Sequence, residues 1–232
     1  AWVDEKTHGK IPAILTEDNR EFVTALVNAV YFKAAWENEF NEARTDKAEF
    51  TNADGTAGTV DMMHQTDGFG YYATPGVEAL KMDYRNDAVD NIEGDNYEFF
   101  RDADFSMYLI KADGTLDVQH LLDSAEFTYG DVRVSVPRFK VEYSAALDEA
   151  LQALGVQTVY DPETADLTAM LDPSGLPGQQ HFLDTVLHKT YIAVDEKGTE
   201  AAAVTAAMFG TGAAMPSRPE LVRTFTADEP FW

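Results

Sequence analysis

The feature that most constrains the fold of this chain is the nearly continuous apolar run EFVTALVNAVYFKAAW at residues 21–36. Its β-branched and aromatic residues favour a strand. A strand with so few polar positions must be covered on both faces, which predicts a central strand of a large sheet. The chain has 232 residues, of which 45% are hydrophobic, so it can bury the core that such a sheet needs.

Other segments alternate irregularly between the two types of secondary structure. Strands are predicted at 77–84, 105–111, 132–139, 182–198 and 223–232, and helices at 115–123, 144–155 and 165–171. In the helix at 144–155, Ser144 is the expected N-cap and Gly155 the expected stop. A turn is predicted at 52–55 and an exposed acidic loop at 85–104. This pattern predicts the α+β class.

The charge of the chain excludes some partners. It has 41 acidic and 17 basic residues and a formal net charge of −24, which repels nucleic acid and anionic membranes. Crowded carboxylates repel one another less in concentrated salt, where the Debye length is about 3 Å at 1 M. The charge therefore favours a protein adapted to very high salt; the alternative is an ordinary acidic soluble protein.

No pattern of side chains indicates an enzyme or a metal site. The chain has no cysteine, and no two of its five histidines have zinc-ligand spacing. Gly-Thr-Gly at 210–212 lacks the third glycine of a nucleotide-binding loop, and no serine-nucleophile motif occurs. Carboxylate pairs arise by chance in so acidic a chain and do not argue for a glycosidase. We therefore expect no catalysis, no metal and no cofactor.

The segment VDEKGTEAAAVTAAMFGTGAAMPSRP at 194–219 does not fit one regular structure. Alanine favours a helix, but the run from Ala201 to Ala207 carries no large apolar stripe at helical spacing. A lone helix of this length is also marginal in water. The composition indicates a segment with more than one possible conformation.

Two polar residues lie inside apolar strands: Asn28 in the run at 21–36, and His188 in the strand at 182–198. Each can be an ordinary core residue with a hydrogen-bond partner. The alternative is that they are near neighbours in one sheet, where a polar cluster could fasten two strands that must sometimes separate.

Several long motifs resemble the serpins, the serine protease inhibitor superfamily. They are WVDEKTHGKI, TALVNAVYFKAAWENEF, VDMMHQ, VRVSVPRFK, LGV, VLHKTYIAVDEKGTEAAAVTAA and FTADEPFW. The resemblance implies a serpin fold, with a large main sheet, smaller sheets, surrounding helices and an exposed reactive centre loop. It also implies that residues 1–232 are a single partial domain, lacking the N-terminal helices and the C-terminal hairpin of a full-length monomer.

By this resemblance, residues 196–222 are the reactive centre loop, which a protease cleaves and which then inserts into the main sheet as a new strand. Its hinge would comprise Glu196, Gly198, Thr199, Glu200, Ala201, Ala202 and Ala203. Alternate residues of an inserting strand point inward, and the series Thr199, Ala201, Ala203, Thr205, Ala207 contains only small side chains. The alanine run is therefore better interpreted as a switchable strand than as a helix.

The family's usual spacing from the hinge places the scissile bond between Gly212 and Ala213, with Ala213, Ala214 or Met215 as alternatives for the residue that precedes it. Small residues at 210–214 favour an elastase-like or subtilisin-like protease as the target.

The resemblance also assigns roles outside the loop. Asn28 and His188 match the pair called the shutter, beneath the strands that open. Trp36 matches the tryptophan of the breach, where insertion begins, and Arg138 matches the basic residue that pairs with the hinge glutamate, Glu196.

The implied function is single-turnover inhibition of a serine protease by an extracellular protein from a salt-loving prokaryote. The alternative is a non-inhibitory protein of the same fold that acts as a binding or carrier module. A third class, a hydrolase that uses its carboxylates, has no supporting motif. We also expect that the 232 residues alone do not inhibit.

Overall fold

Strands dominate the structure, a computed structural model that describes residues 2–15, 24–85, 105–170, 181–199 and 222–232. The fold is α+β, as the sequence predicted. The chain divides into two compact units, which we call the first unit (Ala1–Phe32 and Lys140–Ile192) and the second unit (Lys33–Phe139 and Ala193–Trp232). That the chain is a single domain stays a prediction.

The elements are numbered in chain order. The helices are α1 (Trp2–Lys6), α2 (Val118–Ser124) and α3 (Asp148–Ala153), with short 3-10 turns at Glu42–Arg44 and Thr158–Tyr160. The strands are β1 (Ala25–Val30), β2 (Ala34–Ala35), β3 (Asp46–Thr51), β4 (Ala57–Thr74), β5 (Val77–Asp83), β6 (Ser106–Ala112), β7 (Thr128–Pro137), β8 (Phe139–Ala146), β9 (Thr185–Asp195), β10 (Gly198–Thr199) and β11 (Arg223–Thr226). No helix in the described ranges is long and apolar enough to cross a membrane.

In the first unit, β1 and β9 pair in parallel, from Ala25 opposite Thr185 to Val30 opposite Thr190. Leu26 and Val30 are about half exposed, at 50% and 47%. The prediction of a strand covered on both faces is therefore wrong for this face of β1 in the described part of the chain, because alternate residues of the strand are exposed there. The apolar run at 21–36 also divides into β1 and β2.

The predicted helix at 144–155 begins later than expected. Ser144 lies in β8 and caps nothing, because pairing with β9 continues until the backbone N–H of Leu147 donates to the carbonyl of Val186. Asp148 then starts α3, and its carboxylate accepts a hydrogen bond from the backbone N–H of Val186 at 2.8 Å. Gly155 follows the helix with a φ of 96°, as expected for a C-terminal stop.

The predicted helix at 165–171 is a turn in its described part. The side chain of Asp166 accepts hydrogen bonds from both the backbone N–H (3.1 Å) and the hydroxyl (2.6 Å) of Thr168. Such local side-chain bonds compete with helix formation, which explains the error.

The second unit contains a sheet in the order β11-β7-β4-β5-β6, with β3 also paired to β4. β4 is 18 residues long because it pairs in succession with β3, β7 and β5. The turn predicted at 52–55 joins β3 to β4, and Gly55 adopts a φ of 80° there. Val132, Val134 and Val136 are buried on one face of β7, as their alternation predicted, and Pro137 ends the strand. Three residues of the candidate site lie directly beside the ends of these strands: Thr45 before β3, Tyr84 after β5 and Arg138 after β7.

Candidate functional site

The candidate site lies in the second unit, around the tight turn that joins β9 to β10. The carboxylate of Asp195 accepts hydrogen bonds from the backbone N–H groups of Lys197 at 2.9 Å and Gly198 at 3.3 Å, which closes the turn. After the turn, β10 pairs antiparallel with the end of β9 on one side and with β2 on the other. The first residues after the turn are therefore already part of a sheet.

Gly198 occupies a position that no other residue fits. Its φ is 154°, and a β-carbon here would collide with the carbonyl oxygen of Ala34 and lie 2.8 Å from the Cα of Ala35. The need for glycine thus comes from the close approach of two backbones as well as from conformational freedom.

Thr199 is fully buried and is fastened by its side chain. Its hydroxyl shares a hydrogen bond of 2.5 Å with the hydroxyl of Tyr84, which is itself buried and directly follows β5. Burial raises the pKa of Tyr84 to about 12, although the hydrogen bond with Thr199 acts in the opposite direction. Tyr84 therefore stays neutral at physiological pH and can donate.

Trp36 covers the same turn. It is 1% exposed and stacks on Tyr84, with ring centroids 4.5 Å apart and an interplanar angle of 13°. Its indole Nε1 donates to the carbonyl of Asp195 at 2.9 Å, and its backbone N–H donates to the carbonyl of Lys197 at 2.9 Å. Trp36 thus holds the turn by both its side chain and its backbone.

Glu196 is a buried charge, 3% exposed, at the tip of the turn. Its Oε1 accepts hydrogen bonds from Nη2 of Arg138 at 2.5 Å and from the hydroxyl of Thr45 at 2.6 Å. Burial by itself would raise the pKa of the Glu196 carboxyl, but these hydrogen bonds outweigh it and hold the pKa below its ordinary value. The carboxylate in turn raises the pKa of Arg138. Both Glu196 and Arg138 are therefore charged at neutral pH.

We name these six residues the hinge cluster: Trp36, Thr45, Tyr84, Arg138, Glu196 and Thr199. Sequence reasoning selected four of them and missed Tyr84 and Thr45. A signal for Tyr84 was present, since it continues the buried alternation of Leu80 and Met82, at 0% and 1% exposure. Thr45 had no such signal, because it lies beside a short polar turn.

Asn28 and His188 lie in the first unit and are direct partners in the parallel register of β1 and β9. Asn28 is exposed and His188 is half-buried. Within the part of the chain that the structure describes, their side chains form no hydrogen bond to each other. The structure brings them together as neighbours but does not show a satisfied polar cluster.

The other predicted site residues lie outside the described residues: Glu200, Ala201, Ala202, Ala203, Gly212 and Ala213. So does nearly all of the predicted acidic loop at 85–104. Among the residues that are described, no group of three or more His, Cys, Asp or Glu side chains could hold a metal ion.

Comparison with known proteins gives one consistent result. Residues 1–232 match the family model described as Serpin (serine protease inhibitor). The leukocyte elastase inhibitor of Homo sapiens is 34% identical over 238 residues, which cover 99% of this chain and 59% of that protein. Serpin B11 of Homo sapiens is 30% identical over 247 residues, which cover 100% of this chain and 56% of that protein.

Solved structures agree. The thermophilic serpin tengpin in its native state matches with a TM-score of 0.72 and 29% identity, over 99% of this chain and 56% of tengpin. Human thyroxine-binding globulin also matches with a TM-score of 0.72, at 23% identity, over 99% of this chain and 56% of the globulin. This second likeness shows the fold alone. The chain spans less than two thirds of the length of each of these proteins.

Proposed function

The chain belongs to the serpin family, and on that premise we propose that it is the part of a serine protease inhibitor that carries the hinge and the reactive centre loop. The single observation that supports this most is the burial and two-sided pairing of β10. Thr199 is fully buried in a sheet, paired on both sides, at the point where the loop begins.

The position of Thr199 sets the register for the residues that follow. Side chains alternate along a strand, so an extension of β10 would turn Ala201, Ala203 and Thr205 toward the same side as Thr199. All are small, and a large or charged side chain in this series would be opposed by overpacking or by desolvation. The sequence after Thr199 is therefore suited to enter a closed sheet.

In the proposed reaction, a serine protease attacks the bond between Gly212 and Ala213 and forms an acyl-enzyme. The released loop then extends β10, which requires β1 and β9 to separate and admit a new strand. The protease travels with the loop and is trapped before the acyl group is hydrolysed. The inserted state is more stable than the state with an exposed loop, and this difference in free energy drives the insertion.

The hinge cluster supplies the fixed end of this movement. Hydrogen bonds from Trp36 hold the backbone of the turn, while Arg138 and Thr45 hold the carboxylate of Glu196. Gly198 lets the chain leave the turn without a steric clash. The loop therefore starts from a defined position and direction.

We propose an elastase-like or subtilisin-like target, because the loop has small residues at 210–214 and one relative is named for the inhibition of an elastase. We also propose that the full-length protein is an extracellular monomer from a salt-loving prokaryote. The net charge of −24 supports adaptation to high salt. A non-inhibitory binding protein of the same fold is the second candidate, since thyroxine-binding globulin shares the fold. The small side chains of the hinge favour inhibition.

The test uses a protein of full serpin length that carries these residues. It is mixed with subtilisin or pancreatic elastase, and we expect a covalent complex that survives a denaturing gel. Ala203→Arg places a large charge in the inward series and should convert the inhibitor into a substrate that is cleaved without complex. The matched control, Ala202→Arg, places the same charge outward and should retain the complex.

Plain cleavage of the parent protein with full residual protease activity would favour the non-inhibitory alternative. Equal behaviour of the two arginine variants would contradict the alternation proposed for the hinge. We expect the 232-residue chain alone to be cleaved without complex, and a complex formed by it would show that the additional length of its relatives is not needed.

A further inference from the structure

A serine, a histidine and an aspartate meet on a surface of the second unit and share no residue with the hinge cluster. His64 of β4 lies directly opposite Ser135 of β7, and its Nδ1 is 2.9 Å from the Ser135 hydroxyl. Its Nε2 is 3.3 Å from Oδ1 of Asp46, the first residue of β3. The imidazole thus bridges a hydroxyl and a carboxylate.

The direction of these hydrogen bonds follows from the chemistry of the groups. An ionised carboxylate can only accept, so the Nε2 of a neutral His64 must carry the proton and donate to Asp46. Nδ1 then has a free lone pair and can only accept. The hydroxyl of Ser135 is therefore the donor, and its oxygen is oriented for the loss of that proton to His64.

The three side chains lie in surroundings that are partly open to solvent. The side chain of His64 is 36% exposed and that of Asp46 is 73% exposed, while Ser135 is half-buried. The three residues lie on strands β3, β4 and β7. The central strand β4 hydrogen bonds to both β3 and β7, which fixes the spacing of the three residues.

A cation is available on the same face. Arg133 lies two residues before Ser135 on β7, is exposed, and has no ion pair among the residues that the structure describes. A guanidinium near a reacting carbonyl can stabilise the negative oxygen that develops during acyl transfer.

We propose that Ser135, His64 and Asp46 form an acyl-transfer site for small activated esters. The Ser135 oxygen attacks the ester carbonyl, and its proton passes to Nδ1 of His64, while Asp46 holds the imidazolium that results. The carbon–oxygen bond to the leaving group breaks, and the leaving alcohol takes the proton from Nδ1. Water, deprotonated by the same nitrogen, then attacks the carbonyl carbon of the acyl-serine. The bond from that carbon to the Ser135 oxygen breaks, this oxygen takes the proton back from Nδ1, and the acid is released.

This activity is separate from protease inhibition, because Ser135 is not in the reactive centre loop and no step uses the hinge. The three residues form no short local motif, because they are distant from one another in the sequence. Here the sequence separations are 71 residues between His64 and Ser135 and 18 between His64 and Asp46.

The experiment treats the 232-residue chain with p-nitrophenyl acetate and follows p-nitrophenolate release together with peptide mass mapping. We expect an acetyl group on the peptide that contains Ser135, and loss of the fast phase in Ser135→Ala. His64→Gln should slow that phase by about 10²-fold or more, the usual contribution of a general base. Ser106→Ala is the matched control, since Ser106 donates to Asp83 at 2.6 Å without a histidine and should behave as the parent.

A fluorophosphonate probe gives a second readout on the parent chain and needs no variant that must fold. Labelling of Ser135 supports the proposal. Acetylation or phosphonylation confined to lysine, tyrosine or other serines, with Ser135 unmodified, would overturn it, as would an unchanged fast phase in a folded Ser135→Ala chain.

Discussion

The ion pair of the hinge cluster offers the sharpest test of how the turn is held. Arg138→Met keeps much of the length and apolar volume of the side chain but removes the guanidinium. Glu196, which is 3% exposed, would then keep its burial and its hydrogen bond from Thr45 but lose its charged partner. We expect the chain to be destabilised at neutral pH.

The magnitude follows from the exposure of the two groups. Breaking a fully buried ion pair costs about 3–5 kcal/mol, and a single hydrogen bond to a charged group contributes about 1.5–3 kcal/mol. The Arg138 side chain is 46% exposed, so water can reach the remaining carboxylate from that side once the guanidinium is gone. We therefore expect a loss of about 2 kcal/mol, equivalent to a fall of roughly 4–8 °C in the unfolding midpoint for a chain of this size.

The direction in which pH changes the destabilisation follows from the pKa of Glu196. The pKa of Glu196 lies below its ordinary value of 4.5, so its contribution is complete above that value and is lost as the pH falls through the lower, folded-state pKa. In Arg138→Met the largest lowering cause is gone, so we expect the pKa of Glu196 to be higher than in the parent. Protonation then relieves the unpaired charge, so the difference between parent and variant should shrink as the pH falls below about 4.5.

The assay is urea unfolding of the parent, Arg138→Met, Glu196→Gln and the double variant, each at neutral and at acid pH. We expect a coupling energy of about 1–2 kcal/mol between the two sites at neutral pH. Arg133→Met is the control, because this exposed arginine has no ion pair in the described ranges, and it should change stability by less than about 0.5 kcal/mol. A coupling energy near zero, or a penalty that grows in acid, would refute the reasoning.

Two further predictions concern Gly198, which follows the tip of the turn, and the net charge of the chain. Gly198→Ala should destabilise the pairing of β10 by about 2–4 kcal/mol, since it adds a collision with the backbone of β2 to the strain of the φ angle; faster amide exchange at Thr199 measures this. Gly55→Ala, at a similarly strained φ of 80° but in open space, should cost only about 1–2 kcal/mol, and equal effects at both positions would contradict the collision. Raising NaCl from about 0.1 M to 1 M shortens the Debye length from about 10 Å to 3 Å and should raise the thermal midpoint of a chain with a net charge of −24; a midpoint that falls with salt would argue against adaptation to high salt.

The sequence predicted those strands in which buried and exposed residues alternate regularly. It did not predict elements whose position or length depends on hydrogen bonding to other strands. The buried series Val132, Val134 and Val136 fixed the position of β7. β4 was missed, because its polar and glycine-rich positions show no long alternation, and its length comes from successive pairing with three other strands. The cap assigned to Ser144 failed for a similar reason, since a hydrogen bond from Leu147 to β9 extended the sheet past it.

The candidate site shows the same division. Trp36, Arg138 and Glu196 were found through long motifs, and the structure places them in contact with a common turn. Tyr84 and Thr45 complete the cluster through contacts between residues that are 115 and 151 positions apart in the sequence. Contacts at such separations depend on the topology of the sheet, and one sequence carries no local record of them.

The geometry also indicates where the barrier to the proposed loop insertion lies. β10 is already paired on both sides, so an extending loop adds residues to an existing strand and need not break any contact of the hinge cluster. In the proposed insertion, the contacts that break are those of the parallel register between β1 and β9, where Asn28 and His188 lie opposite each other. Substitutions in the hinge cluster should therefore act mainly on the stability of the starting state, and substitutions at Asn28 or His188 mainly on the rate of insertion.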